Sequence, residues 1–333
     1  MQAVDHAVLT QVRDWLEAGE PCWLATIVAT YGSSPRPVGS LLACNRAGDL
    51  VGSLSGGCVE DDLIEKLVAG ELITDGPQLL KYGLAPEDTE KLGLPCGGHL
   101  HVVIEPLSAR HAATFSRIVE RLDARKCITR SVRLAADSRM SLTDSDDFAP
   151  LQLHEAPHAD PVLEQTYGPS RQLFLIGAGM VSRYLAEMAQ ALDYDITVCD
   201  PREAMLEQWA VPGVKTVCAM PDDAVKAHAD DPRSAIIALT HDPRIDDMGL
   251  MAALDSRAWY VGAMGSSRTS AKRRERLAQL DLTPAQIARL HAPVGLPIGS
   301  KTPPEIAIAI LAELTALEKS AQAAVESPVQ ATA

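Results

Sequence analysis

The chain has 333 residues, 47% hydrophobic and 22% charged, a core-forming composition that excludes disorder, a coiled coil and collagen. With 30 Lys+Arg against 44 Asp+Glu its net charge is −14, so it is poorly placed to supply the basic face that nucleic-acid binding requires. No stretch approaches the roughly 20 apolar residues of a membrane span. The first 19 residues carry Asp5, Asp14 and Glu17 and lack the pattern of a secretory signal. The cytoplasm is therefore the expected compartment.

The length predicts about two domains. Val8, Val12, Trp15 and Leu16 recur at helical spacing, predicting a helix over 5–18. Residues 22–30 read as a buried strand, followed by a turn cluster at Gly32-Ser33-Ser34-Pro35-Arg36-Pro37-Val38-Gly39. Short strands are expected at 41–45 and 51–54, joined by a hairpin turn at 46–49. Ser55-Gly56-Gly57-Cys58 then precedes a helix over 60–69. Further strands are predicted at 78–82 and 101–105, with Pro95-Cys96-Gly97-Gly98 between them. A helix over 108–124 and a strand over 127–134 complete a smaller amino-terminal α/β domain over 1–140.

Residues 141–170 hold six acidic residues, four prolines and no Lys or Arg, and read as an extended solvated linker. Beyond it the rhythm changes. Strands at 173–176, 196–199, 214–217, 234–239 and 259–261 alternate with helices, the last over 304–319. That alternation predicts a doubly wound parallel sheet over 171–325.

Several segments are candidate sites. Gly177-Ala178-Gly179 lies between a strand and a helix, where backbone N–H groups and the helix start receive phosphate. Asp200, 23 residues past Gly177, stands where an acid binds a ribose hydroxyl; Ser182 replaces the third glycine of that fingerprint, and the same fold without a bound nucleotide is the equal alternative. His241, in Thr240-His241-Asp242, is a candidate base or ligand contact, with a capping turn as the equal alternative. In the first domain, Gly56 and Gly57 leave N–H groups bare as an anion cup. Cys58, at a helix start, is a candidate thiolate or soft ligand. Glu60 is a candidate acceptor or proton carrier, and the pair is the candidate catalytic set. A tight turn around a buried thiol satisfies the same spacing. Cys96-Gly97-Gly98 mirrors it, which suits equally a second thiol around one ligand or an unrelated turn. Cys22, Cys44, Cys127, Cys199 and Cys218 lie in or beside strands and are expected in the core. No C-x-x-C pair marks a zinc site, and no metal ligand is assigned. The segment Gly295 to Thr302 misses phosphate-loop spacing by one residue. Arg268, Lys272, Arg273, Arg274 and Arg276 read as the solvated side of a helix.

Taken together these motifs resemble the xanthine dehydrogenase accessory protein family of the XdhC/CoxI type. Gly32-Ser33-Ser34-Pro35-Arg36 with Gly39, and Gly52 through Glu60, are similar to its amino-terminal signature; Cys96-Gly97-Gly98 with Val102 to Pro106 is similar to its second. Gly177-Ala178-Gly179, Asp200-Pro201-Arg202, Thr240-His241-Asp242, Val261 to Ser266, Pro293 to Gly299 and Thr302 to Ala307 resemble its carboxy-terminal Rossmann domain. Residues 109–170 carry no such signature, and Ser300-Lys301 is a small departure. The resemblance implies a factor that binds the molybdenum cofactor, as molybdopterin or its cytosine dinucleotide form. It implies that the factor holds this cargo while a cysteine desulfurase supplies the terminal sulfido ligand, then inserts it into the large subunit of an apo-molybdenum hydroxylase. It also implies a homodimer. Gly32, Ser33, Arg36, Gly56, Gly57, Cys58, Cys96, Gly97, Gly98, Gly177, Gly179, Asp200 and His241 are then the cofactor-binding candidates. Two other readings stand beside it: an oxidoreductase using NAD(P) on the Rossmann turn, and an adaptor that docks desulfurase to client without holding cargo.

Overall fold

The structure, a computed structural model, describes residues 3–31, 36–70, 76–83, 99–136 and 138–326. The chain divides into two compact units, Met1–Ser170 and Arg171–Ala333.

In the first unit, helix α1 (Ala3–Glu17) precedes a five-stranded antiparallel sheet of β1 (Cys22–Tyr31), β2 (Leu41–Asn45), β3 (Leu50–Gly52), β4 (Gln78–Tyr82) and β5 (His99–Leu107). The spatial order is β3-β2-β1-β5-β4. Strand alternation sends one set of side chains to each face. Ala25, Ile27, Leu42, Val102 and Ile104 pack against Val59, Leu63 and Leu67 of α2 (Cys58–Val68). Leu24, Leu41, Ala43 and Leu107 face Val8, Val12 of α1 and Phe115, Ile118 of α3 (Ala112–Asp123), which is led in by a single 3-10 turn over Ala109–His111.

The expected linker is instead part of a second sheet. Strands β6 (Cys127–Arg133), β7 (Met140–Ser145), β8 (Gln152–His154) and β9 (Val162–Tyr167) pair in the order β7-β6-β9-β8. Leu163, Gln165 and Tyr167 point inward from β9 while Glu164 is exposed. Of the segment's acidic residues Glu164 faces outward from β9, Asp144 lies near the end of β7 and the other four lie in the connections, which together mimic a linker in composition. Beneath the sheet Arg130 of β6, fully buried, forms a bidentate pair with Glu105 of β5 at 2.7 and 2.9 Å.

The second unit alternates regularly: β10 (Gln172–Ile176), α4 (Met180–Gln190), β11 (Asp195–Cys199), α5 (Glu203–Leu206), β12 (Lys215–Val217), α6 (Pro221–His228), β13 (Ser234–Ala238), α7 (Pro243–Asp255), β14 (Tyr260–Ala263), α8 (Ser267–Ala278), α9 (Pro284–Ala288), β15 (Leu290–His291) and α10 (Pro303–Glu326). All six strands run parallel in the order β12-β11-β10-β13-β14-β15. Counted within the unit this is 3-2-1-4-5-6, the doubly wound Rossmann order, with its switch point between β10 and β13. Both faces are covered. Leu173 and Leu175 pack with Leu185, Ile310 and Leu314; Phe174 and Ile176 pack with Val225, Leu250 and Leu254.

Candidate functional site

The turn before α2 is organised by one carboxylate. Oε1 of Glu60 accepts the N–H groups of Leu54 (2.8 Å), Ser55 (2.8 Å) and Gly56 (2.9 Å) and the Ser53 hydroxyl (2.9 Å). Oε2 accepts the Gly57 N–H at 3.0 Å and the Ser55 hydroxyl. Burial opposes the charge, but the Ser55 hydroxyl and the converging N–H groups outweigh it and hold this carboxyl far below the usual carboxylate range. Gly56 has φ +92°, a conformation that glycine adopts without strain. The anion cup expected at Gly56-Gly57 therefore exists, and Glu60 already fills it. Glu60 is 7% exposed and saturated with donors, so it positions the turn and is not built to carry a proton. The helix consequently begins at Cys58, two residues earlier than the spacing predicts. The Cys58 side chain lies outside the described residues, as do Gly32, Ser33, Cys96, Gly97 and Gly98.

Arg36 is half-buried at the start of the turn that returns to β2. In that turn the Gly39 N–H donates to the Ile27 carbonyl at 2.8 Å, and the Gly39 carbonyl accepts from Gln165 at 3.1 Å. The Gly39 end of the turn cluster is thus committed to the fold.

In the second unit the expected turns gather at the carboxyl ends of the strands, as the topology requires. Gly177 follows β10 with φ +105°; a Cβ there would lie 2.6 Å from Thr240 Cγ2. Gly179 caps α4 with open space where its Cβ would be. Ser182, in place of the third glycine, is buried and donates its hydroxyl to the Gly177 carbonyl at 2.5 Å. Asp200 is fully buried. Its Oδ2 accepts the Ala178 N–H (2.9 Å) and Arg202 Nη2 (2.8 Å), and Oδ1 accepts the Arg202 N–H (3.0 Å) and Nε (2.8 Å). Burial raises its pKa, but Arg202 and the Ala178 N–H dominate and hold it down. In this geometry Asp200 ties the glycine turn to the end of β11 rather than presenting a free acceptor to a ribose. His241 is exposed at the end of β13, while its neighbour Asp242 caps α7 through the Arg244 N–H at 3.0 Å. The two readings of that tripeptide thus fall on different residues: the cap is Asp242, and His241 faces solvent.

Part of the basic run on α8 is not the solvated face that its composition predicts. Arg273 is buried, donating to Asp246 Oδ2 (2.7 Å), Asp247 Oδ1 (3.3 Å) and the Met264 carbonyl (2.9 Å). Arg276 adds two bonds to Asp247, and Arg274 ties to the Leu290 and Ala292 carbonyls. Asp246 in turn accepts the Thr240 hydroxyl at 2.7 Å. This chain of contacts fixes the crest loop that carries His241. Its sequence signal, Asp246-Asp247 on one helix and Arg273-Arg276 on another, is visible only once α7 and α8 are known to touch.

Cys22, Cys44, Cys127 and Cys199 are buried as expected, whereas Cys218, just past the edge strand β12, is exposed. Burial pushes the Cys22 thiol up to about 12 and the Cys199 thiol up to about 11, so neither is a thiolate at neutral pH. Among the described residues no group of three His, Cys, Asp or Glu is placed to hold a metal ion, and no helix is long and apolar enough to cross a membrane. An open apolar groove of about 610 Å³ runs between Met188 and Leu192, at the end of α4 far from Gly179, and Ile308 and Leu311 of α10, with Thr315 and Lys319 as its polar lining.

Comparison with known proteins fits this architecture. Residues 15–83 match the XdhC and CoxI family, and residues 173–314 match the XdhC Rossmann domain. The chain is 29% identical over 324 residues to a probable xanthine dehydrogenase subunit of Bacillus subtilis, covering 91% of this chain and 95% of that one. It is 26% identical over 317 residues to the molybdenum cofactor insertion chaperone PaoD of Escherichia coli, covering 94% and 89%. Among solved structures, a xanthine dehydrogenase from Bacillus halodurans shares 25% identity and a TM-score of 0.73, with 96% of both chains covered.

Proposed function

Because the chain belongs to the XdhC and CoxI family, we propose that it is a molybdenum cofactor insertion chaperone for a molybdenum hydroxylase of the xanthine dehydrogenase type. The observation that carries this reading is the Glu60 clamp. Six donors converge on one carboxylate to fix a turn whose next residue, Cys58, opens a helix. A soft, sulfur-rich metal centre is the partner that a thiol on such a turn suits. The full-length similarity to a chaperone of that name supports the same cargo.

In this account Cys58, with Cys96, approaches the metal-dithiolene part of the cargo, and Gly32, Ser33 and Arg36 meet its polar groups. Gly97 and Gly98 follow the second thiol in sequence. Within the second unit, Gly177, Gly179 and His241 form a crest whose glycine turn and helix start suit the phosphate of a nucleotide. Asp200 supports that crest by holding Ala178. While bound, the cargo receives its sulfido ligand from a cysteine desulfurase before transfer in the cytoplasm to the apo-hydroxylase, with the chaperone acting as a homodimer. The NAD(P)-dependent alternative draws no support from Asp200, whose two oxygens are already occupied.

The test is transfer. Protein purified anaerobically from a host that makes the cofactor is mixed with apo-hydroxylase, and activity is followed with and without a desulfurase. Activation that requires the loaded chaperone supports the reading. Equal activation by chaperone from a cofactor-deficient host contradicts it.

A further inference from the structure

Three rings meet on one face of the first sheet, where β1 ends and β5 begins. Tyr31 is paired with His99 and Ala29 with His101 in the antiparallel register. The Tyr31 ring lies 5.3 Å from that of His101 and 6.4 Å from that of His99, both edge-on at 63°. On β5 the same face runs Glu105, Val103, His101, His99. Glu105 is sealed against Arg130, and Val103 packs on Leu163 of β9. The last two positions emerge from that cover as imidazoles. Tyr31 is 53% exposed, and Lys81 of β4, paired with His101, is exposed beside them. Nδ1 of His99 is buried without a hydrogen-bond partner among the described residues. Burial and the Lys81 charge push His101 below the ordinary histidine value, so it is neutral at pH 7.

We infer that Tyr31, His99 and His101 form a stacking platform for a planar, nitrogen-rich fused ring, with Lys81 receiving an anionic substituent on it. This rests on the proposed function, where the ring is the pterin portion of the cargo. A phenol face offers stacking, and the two imidazoles offer ring nitrogens that hydrogen-bond to the ring edge. Three side chains are too small a surface for a macromolecule. The platform also borders both signature segments. Tyr31 immediately precedes Gly32, and His99 immediately follows Gly98.

The probe is pterin-6-carboxylate, whose fluorescence is quenched by stacking, titrated against the full-length protein. Saturable quenching is expected, weakened about tenfold by Tyr31→Leu and by the double change His99→Ala, His101→Ala, and retained by Tyr31→Phe. Lys81→Gln should weaken pterin-6-carboxylate while leaving neutral 6-hydroxymethylpterin unchanged. Circular dichroism confirms that each variant is folded. Absence of saturable quenching in the parent, or parental affinity in both the Tyr31→Leu and double-histidine variants, overturns the platform. Failure of the parent to retain molybdenum on anaerobic purification overturns the proposed function instead, and the pterin titration still decides the platform.

Discussion

The Gly56 N–H donates to Oε1 of Glu60 across 2.9 Å, closing the turn before α2 on a side chain from that helix's own first turn. A glycine-rich segment that looks open to an external anion is thereby satisfied internally. Its N–H groups hold Glu60 at the start of the helix that Cys58 opens.

Glu60→Gln should therefore destabilise the first unit by about 2–4 kcal/mol, since the amide NH2 turns donors toward donors. Urea unfolding measures this. The pH dependence has a definite sign. Because the folded-state pKa of Glu60 lies below its ordinary 4.5, its contribution is complete above that value and is lost as pH falls below it. The variant should lack this part of the acid limb.

His111 predicts a second acid-sensitive step. Burial, with Arg110 and Arg130 nearby, pushes its pKa down to about 4, and its Nδ1 accepts the Ser108 N–H at 3.1 Å. The folded state holds it neutral while the unfolded chain protonates near 6.5. Stability should thus fall as pH drops from about 6.5 to 4 and level off below, by at most ~3 kcal/mol. Parent and His111→Gln melting temperatures compared across that range check it; the variant should lose the slope.

Arg273→Met should cost about 3–5 kcal/mol, because Asp246 is left buried without its cation beside Asp247, which keeps only Arg276. Hydrogen exchange should rise first at Thr240 and His241, the loop that Asp246 holds. A uniform rise across the second unit would instead mean that the network carries only global stability.

Gly177→Ala places a methyl 2.6 Å from Thr240 Cγ2 at a φ of +105°. Both the contact and the conformation oppose it, and a loss of about 2–4 kcal/mol is expected. Thr240→Ser relieves only the contact, so the double variant should recover part of the loss in thermal unfolding.

The strand–helix alternation of the second unit was legible because parallel strands buried on both faces read as apolar runs, as Leu173 to Ile176 does. The turns at Gly177 and Asp200 were legible by spacing. Their internal satisfaction was not, because a carboxylate's partners are set by distance in space: Glu60 reaches back to Leu54, and Asp200 reaches across to Ala178. The sheet over 127–167 was hidden by its acidic connections and by Glu164, which alternates with the inward Leu163 and Gln165. Tyr31 and His99 are 68 positions apart, and only the β1–β5 register brings them together.

The central claim is that this chain carries the molybdenum cofactor at the Cys58 turn. The most direct measurement is molybdenum and pterin content per chain after anaerobic purification from a cofactor-competent host, for parent and Cys58→Ala side by side. The account predicts comparable, near-stoichiometric molybdenum and pterin in the parent and less than about a tenth of that in the folded variant, a loss of more than ~1.4 kcal/mol of binding. Equal content in both proteins, or none in the parent, would contradict it.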